Sequence, residues 1–209
     1  MYLDNFKIIF WDFDGVIKDS VSVKTDAFVN LFKNYGKNIS EKIRIHHLNN
    51  GGMSRYEKIP LYLEWSGIKV NNKNIEEFIS KFGDLVKYKV IKSKWVPGVN
   101  KFIKENHKKF IFIIVSATPQ EELISICEQI KIIQYFSKII GSPVSKSKAI
   151  KSIIDQYNVS PKDCVMFGDS ITDLNAAKKN DIEFILRRNF SNQELELDAG
   201  IKCIYDFHF

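Results

Sequence analysis

The chain has 209 residues, 44% of them hydrophobic and 27% charged, and a formal net charge of +6. That composition is ordinary for a globular protein and the length suits one sizeable core, or a core with a small inserted lid. No stretch approaches the ~20 apolar residues that cross a bilayer, so no membrane partner is expected. The lysines are spread along the chain with no arginine-rich block and no aromatic ladder between them. The positive balance therefore reads as a solvated surface with some pull on anionic substrates, and no nucleic-acid partner is expected. The first ten residues carry Asp4 before Lys7 and lack a basic region, a long apolar stretch and a small-residue cleavage site, which points to a cytoplasmic protein. Cys127, Cys164 and Cys203 are odd in number and none lie at metal-ligand spacing, so no disulfide framework is expected; Cys164, in an apolar run, reads as a small buried hydrophobe.

Taken in order, Lys7 to Asp12 is a short apolar run that ends in a carboxylate. From about residue 20 to 94 the pattern is helical only, with helices over Val23 to Phe32, Arg55 to Trp65 and Ile75 to Val90, and Asn49-Asn50-Gly51-Gly52 as a loop. Trp95-Val96-Pro97-Gly98 punctuates the return to another pattern. A helix over Val99 to Lys108 leads into the run Phe110 to Ser116, and Gln120 to Ile130 follows as a helix after Pro119. A weaker run, Ser137 to Ile140, precedes a helix over Lys148 to Tyr157. Cys164 to Asp169, a helix over Thr172 to Lys179, and the run Glu183 to Leu186 complete the series. Continuous apolar runs suit strands buried on both faces, and their alternation with helices predicts an α/β, doubly wound, Rossmann-like parallel sheet. The helical segment predicts an all-helical domain inserted after the first strand: a core domain of 1–19 and 95–209, and a cap of 20–94.

In such a sheet ligands collect at the carboxyl ends of strands. The runs end in Asp12-Phe13-Asp14, Ser116 and Asp169, which makes a constellation of separate strand ends. Asp12 and Asp14 are two apart, so extended backbone sends both to one side. Carboxylates that close repel unless a cation or a shared proton compensates; with Asp169 added, a hard cation with oxygen ligands is the economical answer, and Mg²⁺ is the expected cofactor.

At this point the chain resembles the haloacid dehalogenase superfamily over its whole length. Phe10-Trp11-Asp12-Phe13-Asp14-Gly15-Val16-Ile17-Lys18-Asp19-Ser20 is similar to the first motif, and Ile114-Val115-Ser116-Ala117-Thr118 to the second. Gly141-Ser142-Pro143-Val144-Ser145-Lys146 resembles the third, and Gly168-Asp169-Ser170-Ile171-Thr172-Asp173 the fourth. The resemblance implies that Asp12 is nucleophile and metal ligand. It implies that Asp14 is general acid and base, with its backbone carbonyl on the metal. Ser116, with the N–H groups beyond it at Ala117, holds the phosphoryl group. Lys146 neutralises nucleophile and phosphate, Asp169 binds the metal, and Asp173 supports it. Lys148 is the alternative third-motif lysine. Asp14 must be protonated for the leaving group and ionised for water, so its pKa is expected above that of a free carboxyl. The dehalogenases of the superfamily lack an Asp at this position, which excludes that chemistry here.

The inserted helices stand where the superfamily carries its C1 cap. Gly51-Gly52-Met53-Ser54-Arg55 resembles the cap loop of the β-phosphoglucomutase and phosphoglycolate phosphatase-like members, which implies that Arg55 meets a substrate anion. If it does not, Lys24, His47 and Tyr56 are the next cap residues to examine. His46 and His47 read as a locally hydrogen-bonded pair and not a metal pair; Tyr62, Trp65 and Phe78 read as cap core. The expected activity is a Mg²⁺-dependent phosphatase of a small, sugar-phosphate-like metabolite acting through an aspartyl-phosphate; the alternative is a phosphomutase on the same scaffold. With a cap over the face that other members give to a partner, a monomer is expected.

Overall fold

The computed structural model describes residues 2–193, 195 and 200–208. Met1, residues 194 and 196–199, and Phe209, all within the expected core segments, lie outside it. Six parallel strands form one sheet: β1 (Ile8–Trp11), β2 (Ile111–Pro119), β3 (Lys138–Ser142), β4 (Cys164–Gly168), β5 (Glu183–Arg187) and β6 (Lys202–Ile204). The order is β3-β2-β1-β4-β5-β6. The winding therefore reverses between β1 and β4, and a doubly wound sheet opens its ligand crevice at that point.

The apolar runs are buried on both faces because alternate side chains leave a strand in opposite directions. Ile9 and Trp11 of β1 join Phe112, Ile114, Val165 and Phe167 in one core layer, under α5 (Val99–Asn106) and α6 (Gln120–Gln129). Ile8 and Phe10 face the other layer with Ile113, Val115, Cys164 and Met166, under α7 (Lys146–Tyr157) and α8 (Ile171–Lys179). Trp11 anchors the first layer, with ring centres of Phe112, Phe167 and Phe207 at 5.3, 4.9 and 5.2 Å. Cys127 and Cys164 are buried and Cys203 partly so; all three are free thiols.

Between β1 and α5 the chain forms four helices: α1 (Val21–Leu31), α2 (Lys37–Asn49), α3 (Arg55–Trp65) and α4 (Asn72–Lys92). The helix α2 is an addition to the three expected from sequence, and β6 is an added edge strand. Phe28 of α1 stacks on Phe82 of α4 at 3.9 Å, and Tyr62 of α3 meets Phe28 and Phe32 edge-on. These rings belong to the same apolar cluster as Trp11, Phe112 and Phe167, so the inserted helices share one continuous interior with that layer of the sheet. The two crossings between cap and core lie side by side: Asp19 N–H donates to Lys94 O at 2.8 Å, and Val96 N–H to Ile17 O at 3.1 Å. No helix among the described residues is long and apolar enough to cross a membrane.

Because Trp11 is fully buried at the centre of one layer, Trp11→Ala should destabilise the fold by about 3–5 kcal/mol. Equilibrium urea unfolding measures this, and an unchanged midpoint would contradict the packing described.

Candidate active site

Asp12 follows β1 directly, and its N–H donates to Phe167 O at 2.9 Å, which sets it beside the end of β4. Asp169 follows β4, so the two carboxylates occupy neighbouring strand ends at the reversal of winding. Asp173 reaches the same spot from α8. It caps that helix, accepting from Ser170 N–H at 3.1 Å and Ser170 Oγ at 2.5 Å. Ligand oxygens of Asp12, Asp169 and Asp173 all lie within 4.8 Å of one another, and all three residues are buried.

Two glycines make this approach possible. Gly15 sits at φ +80°, and a Cβ there would fall 1.9 Å from Asp169 Oδ2. At Gly168 a Cβ would fall 2.3 Å from that of Asp173. Glycine is the residue for both a left-handed backbone and so close a contact.

Lys146, the first residue of α7, lies between the carboxylates, with Nζ 2.9 Å from Asp12 Oδ1 and 2.5 Å from Asp173 Oδ1. Lys148 is exposed, so of the two expected lysines the fold brings Lys146 to the cluster. Burial raises the Asp12 pKa to about 7 against the pull of Lys146. Burial and the neighbouring Asp12 and Asp173 push Asp169 well above the usual carboxylate range. Asn189, which sequence reasoning did not single out, donates to Asp169 Oδ2 at 2.7 Å. Asn192 donates to the Asp169 carbonyl at 2.9 Å.

Asp14 faces another way. Its carboxylate pairs with Lys24 of α1 and accepts from Ser20 Oγ at 2.6 Å and Thr118 Oγ1 at 3.3 Å. Burial acts to raise its pKa, but the Lys24 charge and these hydrogen bonds outweigh that and hold it below the free value. This corrects the expectation of a raised pKa: the sequence reading did not include an ammonium on the cap reaching the carboxylate.

Ser116 and Ala117 lie on the far part of β2, which runs on to Pro119 past an irregularity in its pairing with β3. With Asp12, Asp14, Lys146 and Asp169 they line a cavity of about 180 Å³, closed from the cap side by Lys24, Phe28, His47, Arg55 and Phe82. That is below the range of about 300–1,000 Å³ for drug-sized ligands, and suits a small metabolite. A second depression of about 560 Å³ reaches Ser116, Ala117 and Lys146 from the other side, past residues 52–57 and 142–147.

Arg55 opens α3 behind the Ser54–Glu57 capping box and lines the cavity. Its guanidinium grips Glu122 of α6 with two bonds, at 2.8 and 2.6 Å, and lies 4.7 Å above the Phe82 ring. The fork expected to face a substrate anion is thus occupied by a core carboxylate, and Glu122 carried no sequence signal of that role. His46 bonds Tyr62 and His47 bonds Lys58, so the adjacent rings part. Tyr56 is exposed.

A sheet reversed at β1/β4, with buried carboxylates and a lysine at that point, has its charged groups where a doubly wound sheet binds its ligand. The family model of haloacid dehalogenase-like hydrolases matches residues 8–186, and the chain belongs to that family. It is 26% identical over 202 residues to a phosphorylated carbohydrates phosphatase of Thermotoga maritima, covering 92% of this chain and 90% of that protein. Among solved structures it is similar in fold to a mutant of CbbY from Rhodobacter sphaeroides in complex with xylulose 1,5-bisphosphate. That match has a TM-score of 0.78 and 15% identity, and covers 97% of this chain and 95% of the other. A predicted phosphoglycolate phosphatase from Haemophilus somnus matches with a TM-score of 0.74 and 16% identity, over 97% and 95% of the two chains.

The Arg55–Glu122 pair is nearly dry, with side chains 5% and 13% exposed. Removing one partner of such a pair leaves an unmatched charge, so Glu122→Gln should cost about 3 kcal/mol. Thermal and urea unfolding read this, and a neutral result would mean that the pair does not tie cap to core.

Proposed function

We propose that the protein is a Mg²⁺-dependent phosphatase of small phosphorylated carbohydrates, and that the phosphoryl group passes through Asp12. The observation that carries this reading is the charge balance at the strand ends. Asp12, Asp169 and Asp173 contribute three negative charges and Lys146 one positive, a sum of −3 + 1 = −2 in a buried site. One divalent cation cancels it. Burial is the first cause of the raised pKa values of Asp12 and Asp169, and the neighbouring carboxylates add to it against the pull of Lys146. All-carboxylate donors suit a hard ion, and the family in general uses a divalent metal. Asp12 and Asp169 would hold Mg²⁺, with Asp173 behind them; when bound, the ion screens the carboxylate from the phosphoryl charge.

The chain's own groups supply the remaining steps. Lys146 holds one oxygen of Asp12 and leaves the other to attack phosphorus, as the bond to the leaving oxygen breaks. Ser116 and the backbone beyond it border the space for the phosphoryl oxygens, where transfer is governed by positioning and charge. Asp14 is the acid–base group: its protonated carboxyl gives the proton to the leaving oxygen in the first half-reaction, and the carboxylate so formed, which Lys24 stabilises, takes one from water in the second. The apolar cap wall, Phe28 and Phe82, excludes bulk water. Release to water, and not return to a sugar hydroxyl, is favoured by the near-full-length relative, a phosphorylated carbohydrates phosphatase.

Release of inorganic phosphate from an aryl phosphate and from a panel of sugar phosphates tests the reading. Asp12→Asn should lower kcat by a factor of about a hundred or more while the unfolding transition stays in place. Residual turnover above that level removes Asp12 as the nucleophile.

Chelation should abolish turnover and Mg²⁺ restore it. Ca²⁺ should inhibit, since it accepts more oxygen ligands and can engage both oxygens of Asp12. Full activity after exhaustive chelation would refute the metal requirement.

A further inference from the structure

One cation beside the cavity is buried without an anion. Lys58 lies on the inward stripe of α3 with Ile59 and Tyr62, and has no exposed surface. Its Nζ is 2.8 Å from His47 Nδ1 and 5.7 Å from the centre of the Phe28 ring. Among the described residues, no carboxylate lies within ion-pair distance of it. The cations that line the cavity are each matched: Lys24 by Asp14, Arg55 by Glu122, Lys146 by Asp12 and Asp173. Burying an uncompensated ammonium is costly, and a lysine so placed beside a cleft calls for a use of its charge.

His47 connects that charge to the cavity. It is 97% buried yet forms part of the cavity wall, with the Phe28 ring centre 5.0 Å from its own. As an ammonium Lys58 can only donate, and Nδ1 then accepts, which places the ring proton on Nε2 and makes Nε2–H a donor. A positive charge on Nδ1's partner strengthens that donor in a low-dielectric wall.

We infer that His47, backed by Lys58, forms a subsite for a second anionic oxygen group, phosphate or carboxylate, carried by the leaving group of the substrate. This rests on the phosphatase reading for the other end of the cavity. The ligand supplies the negative charge that the cap lacks. Burial, and then the charge of Lys24, bring the Lys58 pKa down to about 7 against the more distant charges of Glu57 and Asp14; burial, and then the charge of Lys58, hold that of His47 well below normal. Lys58 is a positioning residue, since it acts through His47. Arg55 lines the same cavity with its fork already engaged by Glu122.

The test is calorimetric titration of Mg²⁺-loaded Asp12→Asn protein with two matched pairs of ligands. One pair is 3-phosphoglycerate and glycerol 3-phosphate, the other fructose 1,6-bisphosphate and fructose 6-phosphate. The doubly anionic member of at least one pair should bind about tenfold tighter or more, which is ~1.4 kcal/mol. Adding Lys58→Met should shrink that preference to about twofold or less, and should not lower the thermal midpoint, because an apolar chain replaces a buried amine. His47→Phe should shrink the preference in the same way and serves if Lys58→Met does not fold. Equal affinity within both pairs in the parent, a preference that survives either substitution, or an equal loss for both members would overturn the inference. Absence of phosphate release by the unmodified protein would instead sink the phosphatase reading, and leaves this binding comparison as it stands.

Discussion

Three buried carboxylates share one lysine at the point where the sheet reverses its winding, and much of the remaining architecture follows from that imbalance. Asp12 and Asp169 come together because β1 and β4 are neighbours in parallel register, with Trp11 opposite Phe167. Asp173 completes the group because it is also the helix cap of α8, so a local folding signal and a functional position coincide. Gly15 and Gly168 leave the room that the carboxylates need. Burial first, and then the neighbouring carboxylates, raise the pKa values of Asp12 and Asp169. Lys146 relieves one unit of charge, and the two that remain match a divalent ion.

The cap is tied to this centre by charge as well as by shape. Lys24 of α1 reaches Asp14 and Thr118, and Arg55 of α3 closes on Glu122 of α6. Both bonds join the inserted helices to core residues around the cavity. Their loss on opening would expose four charged groups to water, where an exposed pair contributes little. With side chains 5–15% exposed, both pairs lie where their attraction is stronger than it would be in water. Lys58 stands apart from this pattern of matched pairs, as a buried cation facing a histidine.

How much of this could be read from sequence depends on whether the signal is local. The strands β1, β2, β4 and β5 were legible because each carries a continuous apolar run, and the doubly buried sheet is the arrangement that accounts for such runs. Strand ends then put Asp12, Ser116 and Asp169 at one edge. The helix α2 was missed because its stretch, Lys37 to Asn49, is polar and opens after Gly36 with no side-chain cap. The edge strand β6 was missed because it has three residues and is only partly buried. Lys24, Glu122 and Lys58 act through partners 10, 67 and 11 residues away, and such pairing leaves no spacing to recognise. Lys58 alone gave a hint, since it interrupts the apolar stripe that Ile59, Tyr62 and Leu63 mark on α3. The Asp14 expectation failed for the same reason: a carboxylate's pKa is set by what folds against it.

The central claim is that Asp12 carries the phosphoryl group. Rapid quenching of the enzyme in acid during turnover of a sugar phosphate, followed by peptide mass spectrometry, tests it directly. The account predicts a phosphoryl adduct of about 80 Da on the peptide that contains Asp12, formed in the presence of Mg²⁺ and absent after Asp12→Asn. Phosphate release at full rate with no adduct on that peptide at any quench time, or an adduct on another residue, would contradict it.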